Sequence, residues 1–255
     1  MWAWLPGRNE PLPVGVCVRA GPVIRFAYGN RYLERDDRIS LNTAELPLVG
    51  GWQDPLPGLT IAGCLSDAGP DSWGRTVIVN RVVGRGADLD ALDDLTYLVE
   101  AGSDRIGALD FQASPDKYEG RGTQEATLDE LVRAAELVQA GQPLPDDLER
   151  ALRAGSSVGG ARPKALLRDG PRRFIAKFSA ARDVHPVVKM EFVGMRLAAL
   201  SGLDVAQVSL AESEGRDVLL VERFDRSGDE RRQLISALTL LQVPDTAPQY
   251  ASYGK

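Results

Sequence analysis

The ten residues Gly155-Ser156-Ser157-Val158-Gly159-Gly160-Ala161-Arg162-Pro163-Lys164 combine three glycines, two hydroxyls and two cations. Glycines this dense let a backbone bend closely around an anion, and the N–H groups exposed in such a nest bind phosphate. The run fits neither G-x-x-x-x-G-K-[ST] nor G-x-G-x-x-G, and taken alone an ordinary glycine-rich turn is an equally good reading. Residues downstream of it add weight. Lys177 lies in the alternating stretch Arg173–Phe178, Glu191 lies in a largely apolar stretch, and Glu222-Arg223-Phe224 ends the apolar run Val218–Val221. Phosphoryl transfer from ATP asks for a loop over the phosphates, a strand lysine on their oxygens and a helix carboxylate that orients the lysine. Each residue also has a plainer reading: Lys177 as a solvated strand lysine, Glu191 as a helix-surface residue, and Glu222-Arg223 as a strand end leading into a polar turn.

The elements that must hold these groups can be read from periodicity. Thr127 with Glu130 forms a capping box before Leu128, Leu131, Val132, Ala135 and Val138 at helical spacing, and Gly141 stops that helix. A short helix over 146–153 leads to the glycine run. Residues 165–168 and 173–178 are two short strands joined at Asp169-Gly170, a hairpin signal. Pro186 starts a helix that carries Glu191 and ends at Gly202. Strands come next near 205–211 and 217–222, and Ile235–Gln242 reads as a further helix. Upstream, 2–5, 14–19 and 23–28 are short strand-like runs separated by Pro/Gly turns, which suggests a small antiparallel sheet with hairpins. Residues 40–63 read as loop, 76–83 and 89–100 as helices, and 107–112 as a strand. The fold class is mixed α/β of the α+β kind. One unit spans 1–113 and a second spans 125–255, with a polar, glycine-containing linker between them.

Composition narrows the function. The chain has 255 residues, 44% hydrophobic and 26% charged, enough to bury a sizeable core. Its net charge of −6 argues against direct nucleic-acid binding and against attraction to an anionic membrane. No stretch reaches membrane-spanning length, and no basic segment followed by an apolar run opens the chain. Cys17 and Cys64 lie far apart, fit a reducing cytoplasm and offer no zinc site. The lone His185 precedes Pro186, with no Ser or Cys partner pattern around it.

Ser157–Leu167, then Phe174-Ile175-Ala176-Lys177-Phe178, then Val221-Glu222-Arg223-Phe224-Asp225-Arg226 together resemble the HipA family of serine/threonine protein kinases, the toxins of HipA–HipB modules. Leu65–Arg75 is similar to that family's N-terminal "nLLPDS" segment and Gly102–Leu109 to its "GxDxxGAL" segment. The resemblance runs in order from about residue 2 to Leu241. It implies an N-terminal subdomain followed by a protein-kinase-like N-lobe. It also implies ATP with Mg2+ as cofactors, and a HipB-like antitoxin and a protein substrate as partners. By position, Ser157 matches the family's autophosphorylated serine, with Ser156 beside it as the alternative. Gly159, Gly160, Ala161, Arg162, Pro163 and Lys164 match its phosphate loop, Lys177 its ATP lysine, and Glu222, Arg223 and Phe224 its adenine hinge. Arg162-Pro163 stands where a Gln-Glu pair is often found. No aspartate in 226–255 occupies a D-x-x-x-x-N-type loop, so no catalytic residue or metal ligand is assigned, and the expectation is a truncated or split kinase. The alternative is a non-catalytic subunit that docks on a separate kinase or antitoxin chain.

Overall fold

A computed structural model describes residues 1–84, 86–121, 126–148, 162–180 and 183–243. The chain opens with β1 (Trp2–Ala3), β2 (Leu12–Pro13) and the hairpin β3 (Gly15–Ala20) and β4 (Val23–Tyr28). The hairpin turns through Gly21-Pro22, with Ala20 paired to Val23 and Gly21 at φ +63. Alternation places Ile24, Phe26 and Tyr28 inward, so one face of β4 enters the first core beside Tyr32 and Leu65. Short helices α1 (Asn30–Leu33) and α2 (Gly63–Ser66) come next, then α3 (Ser72–Val82), a 3-10 turn at Leu89–Ala91 and α4 (Asp94–Glu100).

One helix was expected over 89–100, but the chain breaks it at Leu92, which is extended. Asp93 accepts from the Thr96 N–H at 2.9 Å and starts a new helix as its cap. The strand expected over 107–112 shortens to β5 (Leu109–Asp110), which pairs with β1 in a small sheet of order β2-β1-β5. Gly107, at φ +81, ends the extended run on its N-terminal side.

The second unit is built on α5 (Leu128–Gln139), where Thr127 and Glu130 form the expected capping box. The last strands make a four-stranded antiparallel sheet of order β6-β7-β9-β8: β6 (Lys164–Asp169), β7 (Arg172–Phe178), β8 (Val208–Ser213) and β9 (Arg216–Glu222). Asp169 pairs with Arg172, so the β6–β7 turn is Gly170-Pro171, one residue later than expected, and Gly170 takes φ +56. Helix α6 (Val187–Leu200) packs beside β8 and β9. The hairpin β10 (Arg226–Ser227) and β11 (Glu230–Arg231) and the short α7 (Ala237–Leu241) complete the described elements. The result is a mixed α+β fold whose second unit sets a four-stranded antiparallel sheet beside helix α6.

The two cores exchange pieces across residues 113–126. Trp73 and Val77, one turn apart on α3, face the second core with Leu131, Ala135, Ala176, Phe178 and Val218, while Ile78 and Val79 face a small cluster with Tyr97. In the other direction Ile235 packs on the first core, and the Ser236 N–H donates to Asp67 at 2.7 Å. Among the described residues no helix is long and apolar enough to cross a membrane.

Candidate functional site

The β6–β7 register sets Lys164 directly opposite Lys177. Phe174, Ala176 and Phe178 point into the core with Ala165, so Lys177, Ile175, Lys164 and Leu166 share the other face of the sheet. Val221 of β9 lies opposite Ile175 on that face and supplies a further apolar surface. Lys177 reaches α6 and pairs there with Glu191, so the strand lysine and helix carboxylate expected from sequence meet. Lys189, two positions earlier on the helix, anchors α6 to the sheet through Asp217 at 3.0 Å.

Lys164 is the more unusual group. Its residue is 2% exposed and its Nζ has no hydrogen-bond partner among the described residues. Burial pushes the ammonium pKa down to about 8, against the pull of Asp71 and with Lys177 adding repulsion. Asp71, at the start of α3, is itself held above the usual carboxylate range by burial, with Lys164 opposing, and its Oδ1 has no partner among the described residues. Trp73 fixes the strand carrying this lysine: its Nε1–H donates to the Lys164 carbonyl at 2.9 Å. A buried cation without a hydrogen bond is costly unless an anion completes the site.

At the other end of β9, Phe224 is 62% exposed. No described residue accepts a hydrogen bond from its backbone N–H, so an aromatic ring and a free donor stand side by side where the strand leaves the sheet. From the strand rise, Glu222 lies about 10 Å along the sheet from the Lys177 position. That span suits groups that hold opposite ends of one nucleotide.

The remaining expected residues fall differently. The Arg162 guanidinium makes a two-pronged contact to Asp183 at 2.9 Å, and Asp183 also accepts from the Ala180 N–H. Pro163 offers its carbonyl to the Phe178 N–H at 3.1 Å. Glu222 pairs through its carboxylate with Arg172 at 2.6 Å. Arg223 turns its side chain inward to Asp104 and Asp225, and its N–H donates to the Arg173 carbonyl at 2.8 Å, leaving only its carbonyl for a ligand. Gly159, Gly160, Ala161, Ser157 and Ser156 lie outside the described residues. His185 offers its carbonyl to the Val187 N–H before α6.

Sequence reading placed Asp71, Trp73, Asp104 and Asp225 in quoted motifs but not at any site. The structure gives them roles. Asp225 accepts from Arg223 at 2.8 Å, from Arg226 at 2.6 Å and from the Gly107 N–H at 2.9 Å, and Asp104 accepts from both arginines. The segment Gly102–Leu109 is thus the first unit's half of a buried seam against the Glu222–Arg226 turn. Neighbouring arginines hold the carboxyls of Asp104 and Asp225 below the usual range despite burial, which alone would raise them. A charged residue on each side of a segment pair over 100 positions apart was the available signal.

Residues 10–112 match the model of the HipA N-terminal domain and residues 156–255 that of the HipA-like C-terminal domain. Comparison with curated protein sequences returns no match. Among solved structures the chain is similar to one from the Shewanella oneidensis MR-1 toxin–antitoxin complex of HipA, HipB and operator DNA, at 21% identity and a TM-score of 0.54. That similarity covers 92% of this chain and 54% of the other, so the chain spans about half the length of the structure it matches. With both halves matched in order, the chain belongs to the HipA family.

Proposed function

We propose that this chain is the nucleotide-holding half of a HipA-type serine/threonine kinase toxin. In this reading it binds ATP with Mg2+, takes part in phosphorylating a protein substrate and its own Ser157, restrains growth, and is held by a HipB-like antitoxin. The carrying observation is the buried, unpartnered Lys164 ammonium set opposite Lys177, which Glu191 orients. Two cations on one sheet face fit the phosphates of a nucleotide, with Ile175, Leu166 and Val221 as the apolar bed for its base and the Phe224 N–H as a donor to it.

ATP supplies the transferable phosphoryl group. The residues of this chain bind it, neutralise its charge and exclude water from one side of it. Among the described residues no group of three or more carboxylate, histidine or cysteine side chains is placed to hold a metal ion. The aspartate base and metal ligands of the reaction belong, in this reading, to a further helical segment that works with this one. A second reading, a non-catalytic subunit that docks on another chain, is favoured by one feature. Met190, Val193 and Leu197 line α6 at helical spacing and are 59%, 52% and 58% exposed.

Calorimetric titration of the purified chain with ATP tests the nucleotide reading. Lys177→Ala is expected to weaken binding at least tenfold while thermal unfolding stays near that of the parent, since the Lys177–Glu191 pair is about one-third exposed. Unchanged ATP affinity in that variant would remove the nucleotide site and leave the docking subunit as the reading. In the presence of the complementing catalytic segment, Ser157→Ala is expected to abolish self-phosphorylation by mass spectrometry. Phosphate found on Ser156 instead would move the site by one residue.

A further inference from the structure

At the far end of the β6–β7 hairpin from the lysine pair lies a cavity of about 340 Å3, between the edge of the sheet and the first unit. Its walls carry Trp4 from the first unit, Tyr118 from the segment between the units, and Arg168, Arg173, Arg226 and Arg231 from the second. Counted along the strand, Arg168 stands about 13 Å from Lys164, and neither Lys164, Lys177 nor Phe224 lines this cavity; Leu166 of the proposed nucleotide bed borders it, so the two sites adjoin on one sheet face.

The charges in the cavity do not balance. Arg168 and Arg173 sit directly opposite each other across the hairpin, a placement that repels. Their hydrogen bonds go to carbonyls of the turn: Arg168 to Gly170 at 3.2 Å, and Arg173 to Gly170 at 3.0 Å and Arg172 at 3.3 Å. Neither forms an ion pair with a described carboxylate. Arg231 spends its guanidinium on the Ser103 carbonyl at 2.7 Å and on the face of the Trp4 ring at 3.5 Å. Among the described residues the only acids lining the cavity are Asp104, already shared by Arg223 and Arg226, and Asp229. Four guanidiniums against two carboxylates leave a local excess of two positive charges in a chain whose net charge is −6. Burial, with Arg168 and Arg223 adding repulsion, holds the Arg173 pKa below its usual value.

We propose that this cavity is a second ligand site, for a phosphate monoester. A dianion matches the excess charge, and planar guanidiniums bind phosphate oxygens in pairs. The volume lies at the small end of ligand sites, enough for a phosphate and one short organic group against Trp4 and Tyr118. Two sources share that chemistry: a phosphorylated side chain of a protein, and a small phosphorylated metabolite of sugar-phosphate type.

Calorimetric titrations of the full chain with inorganic phosphate, O-phospho-L-serine and ribose 5-phosphate test the proposal, because none of these probes has a base for the nucleotide site. At least one organic monoester is expected to bind more tightly than inorganic phosphate, and the tighter of the two names the source. The Arg168→Ala/Arg173→Ala double variant is expected to weaken that binding tenfold or more, Arg173→Lys to weaken it less, and Lys177→Ala to leave it unchanged. Circular dichroism confirms that each variant is folded. Absence of binding by all three probes at millimolar concentration would overturn the proposal. So would binding that survives the double variant, or binding lost with Lys177→Ala. Failure of ATP to bind while a monoester still does would refute the nucleotide reading and leave this site standing.

Discussion

Charges behind β9 and charges at the start of β6 are handled in opposite ways by one sheet. Behind β9, Arg223 and Asp225 are almost wholly buried, and each charge meets its opposite: Asp225 with Arg223 and Arg226, Asp104 with the same two arginines. At β6, Lys164 is as deeply buried but its Nζ has no hydrogen-bond partner among the described residues, and its cross-strand neighbour is another lysine. A closed network fixes two units in one arrangement, whereas an open one keeps binding capacity for something absent from the chain itself. The difference separates a joint from what we propose is a receptor, though both are built from buried charge.

Cutting the joint should have the largest effect. Asp225→Ala leaves the buried Arg223 and Arg226 guanidiniums to share Asp104 alone and the Gly107 N–H without its acceptor, and a loss of roughly 3–5 kcal/mol is expected in urea unfolding. A loss below about 1 kcal/mol would show that water reaches these charges.

At the receptor the sign is reversed. Lys164→Met removes a desolvated cation and is expected to stabilise the protein at pH 7 by about 2 kcal/mol while weakening ATP binding. The lowered pKa also sets the pH dependence. Between about 8 and the ordinary lysine value the unfolded chain holds a proton that the folded one has lost, so stability rises with pH across that window. Nucleotide affinity should do the opposite, level below pH 8 and falling above it as the ammonium is lost. An affinity that is flat from pH 7 to 10, or equal in parent and Lys164→Met, would take Lys164 out of the site. The smallest effect belongs to Trp73→Phe, which keeps most of the ring packing but deletes the donor to the Lys164 carbonyl. About 1 kcal/mol is expected from thermal unfolding.

Much of the second unit could be read from residues near one another in the chain. The capping box at Thr127, the turn beside Asp169, the helix opened by Pro186 and the meeting of Lys177 with Glu191 rest on spacings of a few residues or on two consecutive elements. What escaped depends on distance along the chain. Trp73 lies 91 positions from the carbonyl it holds, and Gly107 lies 118 from Asp225, so no local periodicity announces either contact. Arg223 shows a subtler limit: its place in the strand-to-turn segment was legible, but the direction of its side chain was decided by Asp104 on the other unit. The 89–100 helix was misjudged because leucine spacing favours one helix, while Asp93 makes a better start than an interior position.

The strap from Asp225 to Ser236 completes the first unit from the far end of the chain: Arg231 lies on Trp4, Gly107 closes on Asp225, and Ser236 bonds to Asp67. On the ribosome, therefore, the N-terminal sheet emerges early but must wait for more than a hundred further residues before its last partners exist. Its assembly is a late, long-range step rather than a domain-by-domain one, with β1 and the Trp4 ring exposed during the delay. Growth conditions that slow elongation, or premature stops before Ser236, should therefore hand the nascent chain to chaperones and proteases at the N-terminal sheet first.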